Sequence, residues 1–399
     1  DGTGAKLYID GSLAQSVSSS QTRNKNGINV ALGAFGHNRS NQANFKGLLD
    51  TYRYFNSELS SDQVTKLFQE KPETDTSNFK TVLYEGTGSG QYISNVGFQP
   101  DFVWIKNRDT SGKWHSLADS VRGGGKRIFS NEDDAQLTDT FDTQSFEANG
   151  FIIGNGDFVS RDNELHVAWN WKGGGDAVNI GVNSITGSTP SIASDVSANT
   201  AAGFSIAKVT FNTTSPQTVA HGLSSAPEWI ISKRTSTTSD WNCYHKFIDS
   251  SSPADFLIKL NSSDGRSDNS IYWNDTLPTS SVFTTGSIYD QNETVIFYCW
   301  HSVPGYSKIG TYEGNGTTDN KIFTTDDGTS TGSNGFKPSF VMLKNVDRDN
   351  TRWIMMDTAR DPVNTAYHVL SANIADAESD SLSFWLMDFE SDGFRLKYG

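Results

Sequence analysis

Three stretches of this chain repeat one another: Gly97-Phe-Gln-Pro-Asp-Phe-Val-Trp-Ile-Lys-Asn107, Gly222-Leu-Ser-Ser-Ala-Pro-Glu-Trp-Ile-Ile-Ser-Lys-Arg234 and Gly335-Phe-Lys-Pro-Ser-Phe-Val-Met-Leu-Lys-Asn345. They lie 125 and 113 residues apart, so the repeating unit is a whole domain and not one turn of a solenoid. Any fold for this chain has to accommodate copies of one unit in a row. A reaction does not need its site three times, so the repetition favours binding, building or spacing.

The likeness runs beyond the glycine-proline signature. A tryptophan follows each copy, Trp114, Trp241 and Trp353, and an aspartate a few residues later, Asp119, Asp249 and Asp357. Phe146-Glu-Ala-Asn-Gly-Phe151 matches Phe389-Glu-Ser-Asp-Gly-Phe394, and the second unit keeps Phe283-Thr-Thr-Gly286 in its place. Two units end on an aromatic strand, His166-Val-Ala-Trp-Asn-Trp171 and Val295-Ile-Phe-Tyr-Cys-Trp-His301, whereas the third reaches Gly399 before such a strand arrives. Tyr84-Glu-Gly-Thr-Gly88 and Tyr312-Glu-Gly-Asn-Gly316 mark the openings of the first and third units.

Phe102-Val-Trp-Ile105, Trp229-Ile-Ile231 and Phe340-Val-Met-Leu343 are short apolar runs rich in β-branched and aromatic residues and bounded by Pro and Gly, a strand pattern. Asn149-Gly150, Asp264-Gly265, Asn334-Gly335 and Asp392-Gly393 are hairpin signals. Long helix-period segments are missing. Each unit therefore reads as a β-sandwich of ~100 residues. The Gly/Ser/Thr/Ala-rich stretch from Gly173 to Ala201 reads as a semi-flexible connection or as extra edge strands. Only Pro304-Gly305 parts the second and third units, which predicts that they move together.

The first seventy residues do not recur. Leu7-Tyr-Ile-Asp-Gly11, Ala31-Leu-Gly33 and Phe45-Lys-Gly-Leu-Leu-Asp-Thr-Tyr-Arg-Tyr-Phe-Asn-Ser-Glu-Leu-Ser60 appear in an order that resembles the closing half of a concanavalin-A-like, laminin-G-type jelly roll. Thr51 stands where that pattern usually has an acidic residue. Ser60-Ser-Asp-Gln63 is a capping box, and Val64, Leu67 and Phe68 share one helical face, which predicts a terminal helix on that roll. Such a roll needs more residues than precede the repeats, so the chain reads as a fragment truncated at both ends. The expected architecture is all-β: a partial laminin-G-like jelly roll over 1–72, then three tandem β-sandwich repeats over 79–175, 196–305 and 306–399.

Further motifs extend the resemblance. Asn199-Thr-Ala-Ala-Gly-Phe-Ser-Ile206, His221-Gly-Leu223, Ala226-Pro227, Tyr272-Trp-Asn-Asp275, Pro304-Gly-Tyr-Ser-Lys-Ile-Gly310 and Asp357-Thr-Ala-Arg360 form a set. Together with Gly335-Phe-Lys-Pro338, they resemble an uncharacterised repeat module of tail and virion proteins of tailed bacteriophages. The resemblance covers about 79–399 and is weakest in the first unit. It implies a structural virion component, often a tail fibre, and supplies no catalytic residue. It also implies other virion proteins as partners, a location on the particle surface, and a homo-oligomer, trimeric by analogy.

Charge and composition narrow the functions further. The net charge of −14 and a pI near 4.9 argue against nucleic acid, which needs a basic face. No apolar run is long enough to insert across a bilayer. The only cysteines, Cys243 and Cys299, both sit in the second unit and have no counterparts in the others, so two buried free thiols are expected instead of a disulfide.

Candidate chemistry is sparse. Glu147 and Glu390 occupy matching places, with Thr284 in the second unit, but a glycosidase needs two carboxylates flanking one bond. The aspartates read as buried acceptors of backbone donors. His115, His166, His221, His245, His301 and His368 share no place across the repeats, and Arg122-Gly-Gly-Gly-Lys126 lacks the context and ending of a phosphate loop. The expectation is no enzyme and no cofactor. Asp347-Arg-Asp-Asn350 and Glu132-Asp-Asp134 offer oxygens to Ca²⁺ without the spacing of a calcium loop. Sugar binding is the sharper expectation. Aromatic faces stack on sugar rings, which makes Trp114, Trp241 and Trp353 the glycan-binding candidates, against the reading that they fill equivalent cores. The sequence thus predicts a phage tail-fibre or appendage component that binds host-surface polysaccharide. A capsid decoration protein and a secreted bacterial adhesin or carbohydrate-binding module are the alternatives.

Overall fold

The computed structural model describes residues 78–185, 189–317, 319–380 and 385–397, and before them the backbones of four short strands. The chain divides into two compact units, Asp1–Thr76 and Ser77–Gly399. In the first, β1 (Ala5–Ile9) pairs antiparallel with β2 (Ser12–Val17), and β3 (Ala34–Phe35) with β4 (Ala43–Asn44). The helix expected from Ser60 onward and the Phe45–Ser60 motif lie outside the described residues.

Among its described residues the second unit is all-β apart from two short helical turns, and it holds the repeats as three lobes. The first lobe contains β5 (Phe79–Glu85), β6 (Gln91–Ile93), β7 (Phe102–Asn107), β8 (Ser116–Asp119), β9 (Lys126–Phe129), β10 (Leu137–Thr138), β11 (Thr143–Glu147), β12 (Gly150–Ile153) and β13 (Leu165–Trp171). Its large sheet runs β10-β9-β8-β7-β13-β5 and its small sheet β11-β12-β6. The second lobe contains β14 (Val178–Ile180), β15 (Ser194–Asn199), β16 (Phe204–Thr210), β17 (Gln217–Ala220), β18 (Trp229–Arg234), β19 (Asn242–His245), β20 (Phe256–Lys259), β21 (Ser267–Asp268), β22 (Val282–Thr285) and β23 (Thr294–Trp300). Its large sheet, β14-β15-β16-β23-β18-β19-β20-β21, repeats the first in order and adds two edge strands drawn from the 173–201 connection. The third lobe has β24 (Asn320–Phe323), β25 (Phe340–Leu343), β26 (Ile354–Asp357), β27 (Leu370–Ser371), β28 (Met387–Glu390) and β29 (Gly393–Leu396), in sheets β25-β26-β27 and β24-β29-β28.

The second lobe has no counterpart of β11 or β28. Phe283 lies opposite Val219 on β17, just as Phe151 lies opposite Ile93 on β6 and Phe394 opposite Ile322 on β24. Thr284 therefore belongs to the strand after the turn, not to the glutamate's place. The turn glycines have a steric reason. Gly150 (φ +151°) and Gly393 (φ +156°) pass so close to the neighbouring strand that an added Cβ would lie 2.0 Å from the carbonyl oxygens of Ile93 and Ile322.

Why the large-sheet strands are apolar throughout becomes clear from what covers them. Side chains alternate between the two faces of a strand. Val103 and Ile105 face the small sheet of their own lobe, with Phe151 and Ile153. Phe102 and Trp104 face the other way, into a core that also takes Ile231, Trp241, Tyr298 and Trp300 from the second lobe and Trp353 and Met355 from the third. The second lobe has its own core around Phe283 and Phe297, the third around Met356 and Phe389. Three sandwich cores thus surround a shared fourth. A large side chain buried this completely contributes roughly 1.5–3 kcal/mol, so the shared core makes the lobes one folded body.

The cysteines are free and buried, and they lie on opposite faces of their sheet. Cys243 points into the shared core and Cys299 into the second lobe's own. Burial raises both thiol pKa values.

Candidate binding site

The repeated polar groups converge where the lobes meet. Trp241 is fully buried, and its indole N–H donates across the interface to the carbonyl of Phe129, at 2.8 Å, in the first lobe. Trp353, 4 % exposed, donates in the same way to the carbonyl of Lys259, at 3.0 Å, in the second. The matching residue in the first lobe is His115, not Trp114. The backbone N–H groups of His115, Trp241 and Trp353 donate to Asn131, Asn261 and Asn373 respectively, which fixes the equivalence. Trp104 Nε1, a donor only, reaches His115 Nδ1 at 2.9 Å, so the ring carries its proton on Nε2 and donates to the carbonyl of Ser371 at 3.0 Å. Burial holds His115 well below the usual imidazole pKa, which keeps it neutral. The pins run second lobe to first, third to second and first to third, closing a ring.

Trp241 and Trp353 therefore have no face to offer a sugar; a core position that also needs its N–H satisfied across an interface explains them. Trp114 is half-buried and stacks on Phe158, with ring centroids 5.3 Å apart.

A second set of groups follows the same ring. Asp119 holds the side chain and backbone N–H of Arg122 and accepts the phenol of Tyr298 at 2.7 Å. Asp357 likewise holds Arg360, at 2.6 Å, and accepts the indole N–H of Trp169 at 3.1 Å. Arg360 also meets Glu378, which binds Arg108 of the first lobe at 2.6 Å. Strand register puts His245, not Asp249, in the equivalent place: it lies opposite Trp229 as Asp119 lies opposite Phe102 and Asp357 opposite Phe340. Asp249 instead caps a local turn, and backbone N–H groups of Ser252 and Ser251 hold its carboxyl down at about 2. Two of the histidines, His115 and His245, thus do have a place in the repeat pattern.

Sequence reasoning also passed over three lysines. Lys106, Lys233 and Lys344 end the repeated stretch and bend inward. Lys233 Nζ donates to the carbonyl of Asp133 in the first lobe at 2.9 Å, and Lys344 Nζ lies 3.4 Å from the carbonyl of Ser263 in the second. Burial lowers Lys106 and Lys233 to about 8. A lysine recurring at the end of each apolar run was the available signal, as was the Asp-x-x-Arg spacing at Asp119 and Asp357.

The remaining candidates are engaged in structure. Glu390 pairs with Arg395 and Lys321, and Glu147 accepts from Ser145 at 2.7 Å. The glycine loop after Arg122 is a close-packed turn: a Cβ on Gly124 would lie 1.7 Å from the carbonyl of Gln144. At the acidic tips, Asp349 accepts the N–H of Gly265, and among the described residues no three His, Cys, Asp or Glu side chains come together as metal ligands. A shallow depression of about 420 Å³ between the second and third lobes is lined by Asn261, Ser262, Ser263, Asn350, Arg352 and Asn373, with Ile374 as its apolar member.

Sheets of this kind, pinned side to side and, among the described residues, without a convergent set of reactive groups, define an all-β module. Residues 1–65 match the concanavalin A-like lectin/glucanases superfamily. Residues 74–399 match the family described as a domain of unknown function, DUF7483, and the chain belongs to that family. No curated protein and no solved structure matches the chain.

Proposed function

We propose that the chain is a non-catalytic structural component of a tailed-phage particle, a tail-fibre or appendage segment that contacts bacterial surface glycans. The observation that carries this reading is the use made of the repeated groups. Trp241, Trp353, Asp119 and Asp357 are all spent on holding lobes together, which suits a rigid block and leaves no repeated reactive site. The lectin-type match over 1–65 supplies the link to carbohydrate. In the block itself, the hydroxyl- and amide-lined depression at Asn350, Arg352 and Asn373 has the chemistry to hydrogen-bond sugar hydroxyls. Individually weak contacts of this type gain strength when many are linked on one particle. Other virion proteins are the second class of partner, and a homotrimer would multiply the contacts again.

The test is to label purified particles with antibody against residues 196–399 and, in parallel, to titrate the intact protein against bacterial surface polysaccharides. Label on the tail together with saturable glycan binding supports the reading. Label over the head replaces it with capsid decoration, and label on cells instead of particles replaces it with a secreted adhesin. Release of reducing ends from any glycan would overturn the non-catalytic part.

A further inference from the structure

The three asparagines behind the pins differ in one respect. Asn131, Asn261 and Asn373 each accept, through Oδ1, the backbone N–H of His115, Trp241 or Trp353. That bond fixes which way the amide points, because only its oxygen can meet an N–H. The Nδ2 arm must then find a partner elsewhere. Asn131 gives it to Glu132, the next residue, at 2.8 Å, and Asn261 gives it to Asp240, the residue before its pin, at 2.9 Å. In the third lobe those two places hold Ile374 and Arg352, and neither side chain can accept. Asn373 Nδ2 consequently has no partner among the described residues, although the residue is only 7 % exposed. Buried amides are as a rule paired, so this donor marks a place for a ligand atom.

Asn373 lines the depression between the second and third lobes, where other groups stand ready beside it. The exposed Arg352 guanidinium lies 3.2 Å from Asp376 and makes no hydrogen bond among the described residues. Ser262, Ser263 and Asn350 add hydroxyls and an amide, and Ile374 adds an apolar surface next to the Asn373 amide. The two sides are tied together: Thr351 N–H donates to the carbonyl of Ser263 at 3.0 Å, and Gly265 N–H to Asp349 at 2.9 Å. The shape is therefore set before a ligand arrives, which lowers the ordering cost of binding.

Charge decides what kind of acceptor fits. Asp264 and Asp349 adjoin Ser263 and Asn350 in the chain, Asp376 faces Arg352, and the whole chain carries −14. An anionic ligand would meet like charges here, so a neutral acceptor is favoured. The place beside Ile374 asks in addition for a small apolar group. An acetamido substituent supplies both, a carbonyl oxygen and a methyl group, on a sugar ring whose hydroxyls suit the serines and Asn350.

We propose that this depression is a subsite for a 2-acetamido sugar residue of a surface glycan. The acetamido carbonyl accepts from Asn373 Nδ2 and Arg352, and the methyl group packs on Ile374. The subsite presupposes the glycan-binding role proposed above and names the sugar it takes. The other two junctions do not share it, because Glu132 and Asp240 already occupy the matching amide donors.

The test titrates the whole chain, by ligand-observed NMR, with the β-1,4-linked trimers of N-acetylglucosamine and of glucose, which differ only in the acetamido groups. The acetamido trimer should saturate one site, and the glucose trimer should bind at least tenfold more weakly. Asn373→Asp keeps an acceptor for the Trp353 N–H and removes the donor, so it should weaken the acetamido trimer at least tenfold. Should that variant unfold, Ile374→Glu provides the second reading: it gives the Asn373 amide an internal partner, as Glu132 does for Asn131, and should weaken binding equally without lowering the urea midpoint. Equal binding of the two trimers, tighter binding of a glucuronate oligomer, or acetamido-specific binding that both variants retain would each overturn the subsite. Those outcomes leave the broader glycan reading standing if the parent still binds surface polysaccharide. Absence of binding to every glycan would remove that reading and the subsite together.

Discussion

The indole N–H of Trp169 in the first lobe meets Asp357 of the third at 3.1 Å, and the same carboxylate holds Arg360. Residues 188 apart in sequence thus share one buried charge. Arg360 and Asp357 are both fully buried at their side chains, so neither charge has water to fall back on. Removing one partner of such a pair costs about 3–5 kcal/mol because the other is left uncompensated. Asp357→Asn, and equally Asp119→Asn, should lower the urea unfolding midpoint by an amount equivalent to that. Trp169→Phe should cost less. An Asp357→Asn protein as stable as the parent would show that the ring does not depend on this pair.

The tryptophan pins give a prediction that separates structure from recognition. Trp241→Phe and Trp353→Phe keep most of the apolar volume and orphan a carbonyl in the neighbouring lobe, at a cost of about 1–3 kcal/mol each. Unfolding curves should register the loss, while titration with any glycan the parent binds should give an unchanged affinity. Loss of glycan affinity in a folded Trp241→Phe variant would restore the sugar-stacking role.

Acid should destabilise the folded unit through its buried histidines. Burial lowers His166 and His221 to about 4, against an unfolded value near 6.5. Between those values the unfolded chain binds protons that the folded one does not, so stability rises with pH across the window and is lost as pH falls from 6.5 toward 4. At ~1.4 kcal/mol per pKa unit, each histidine accounts for roughly 2 kcal/mol between pH 7 and pH 5. Urea midpoints at the two pH values should show it, and a double His166→Gln, His221→Asn variant should reduce the difference, leaving the part due to His115 and His245, which burial also lowers.

Thiol reactivity offers an inexpensive check on the shared core. Cys243 and Cys299 are buried on opposite faces of one sheet, and burial raises both thiols, so little thiolate exists at neutral pH. A thiol-reactive dye should leave the native protein unlabelled and modify both residues in denaturant. Rapid native labelling of Cys243 alone would mean that the lobes part in solution.

The strands were readable because Phe102-Val-Trp-Ile105 and its counterparts are apolar at every position between Pro and polar residues. What covers the second face of such a run is not readable, since periodicity is the same whether it meets its own lobe or another. Matching by residue type also misled twice. Trp114 took the place of His115 because the first lobe uses an imidazole where the others use an indole, and both donate one N–H. Asp249 took the place of His245 because the second lobe has Ile248 where the others have the arginine that a buried carboxylate needs. Strand register, not identity, settles both.

In each of the Trp241, Trp353 and His115 pins the group that accepts the hydrogen bond is a main-chain carbonyl, and it belongs to Phe129, Lys259 and Ser371 in turn. An aromatic, a cation and a hydroxyl serve one purpose because none of their side chains takes part. At these three points the bond does not depend on which side chain the accepting residue carries, unlike at Asp119 and Asp357, whose carboxylates are themselves the acceptors. A substitution at any of the three changes the side chain and leaves the acceptor where it was, so the ring tolerates exchange at the points where it closes.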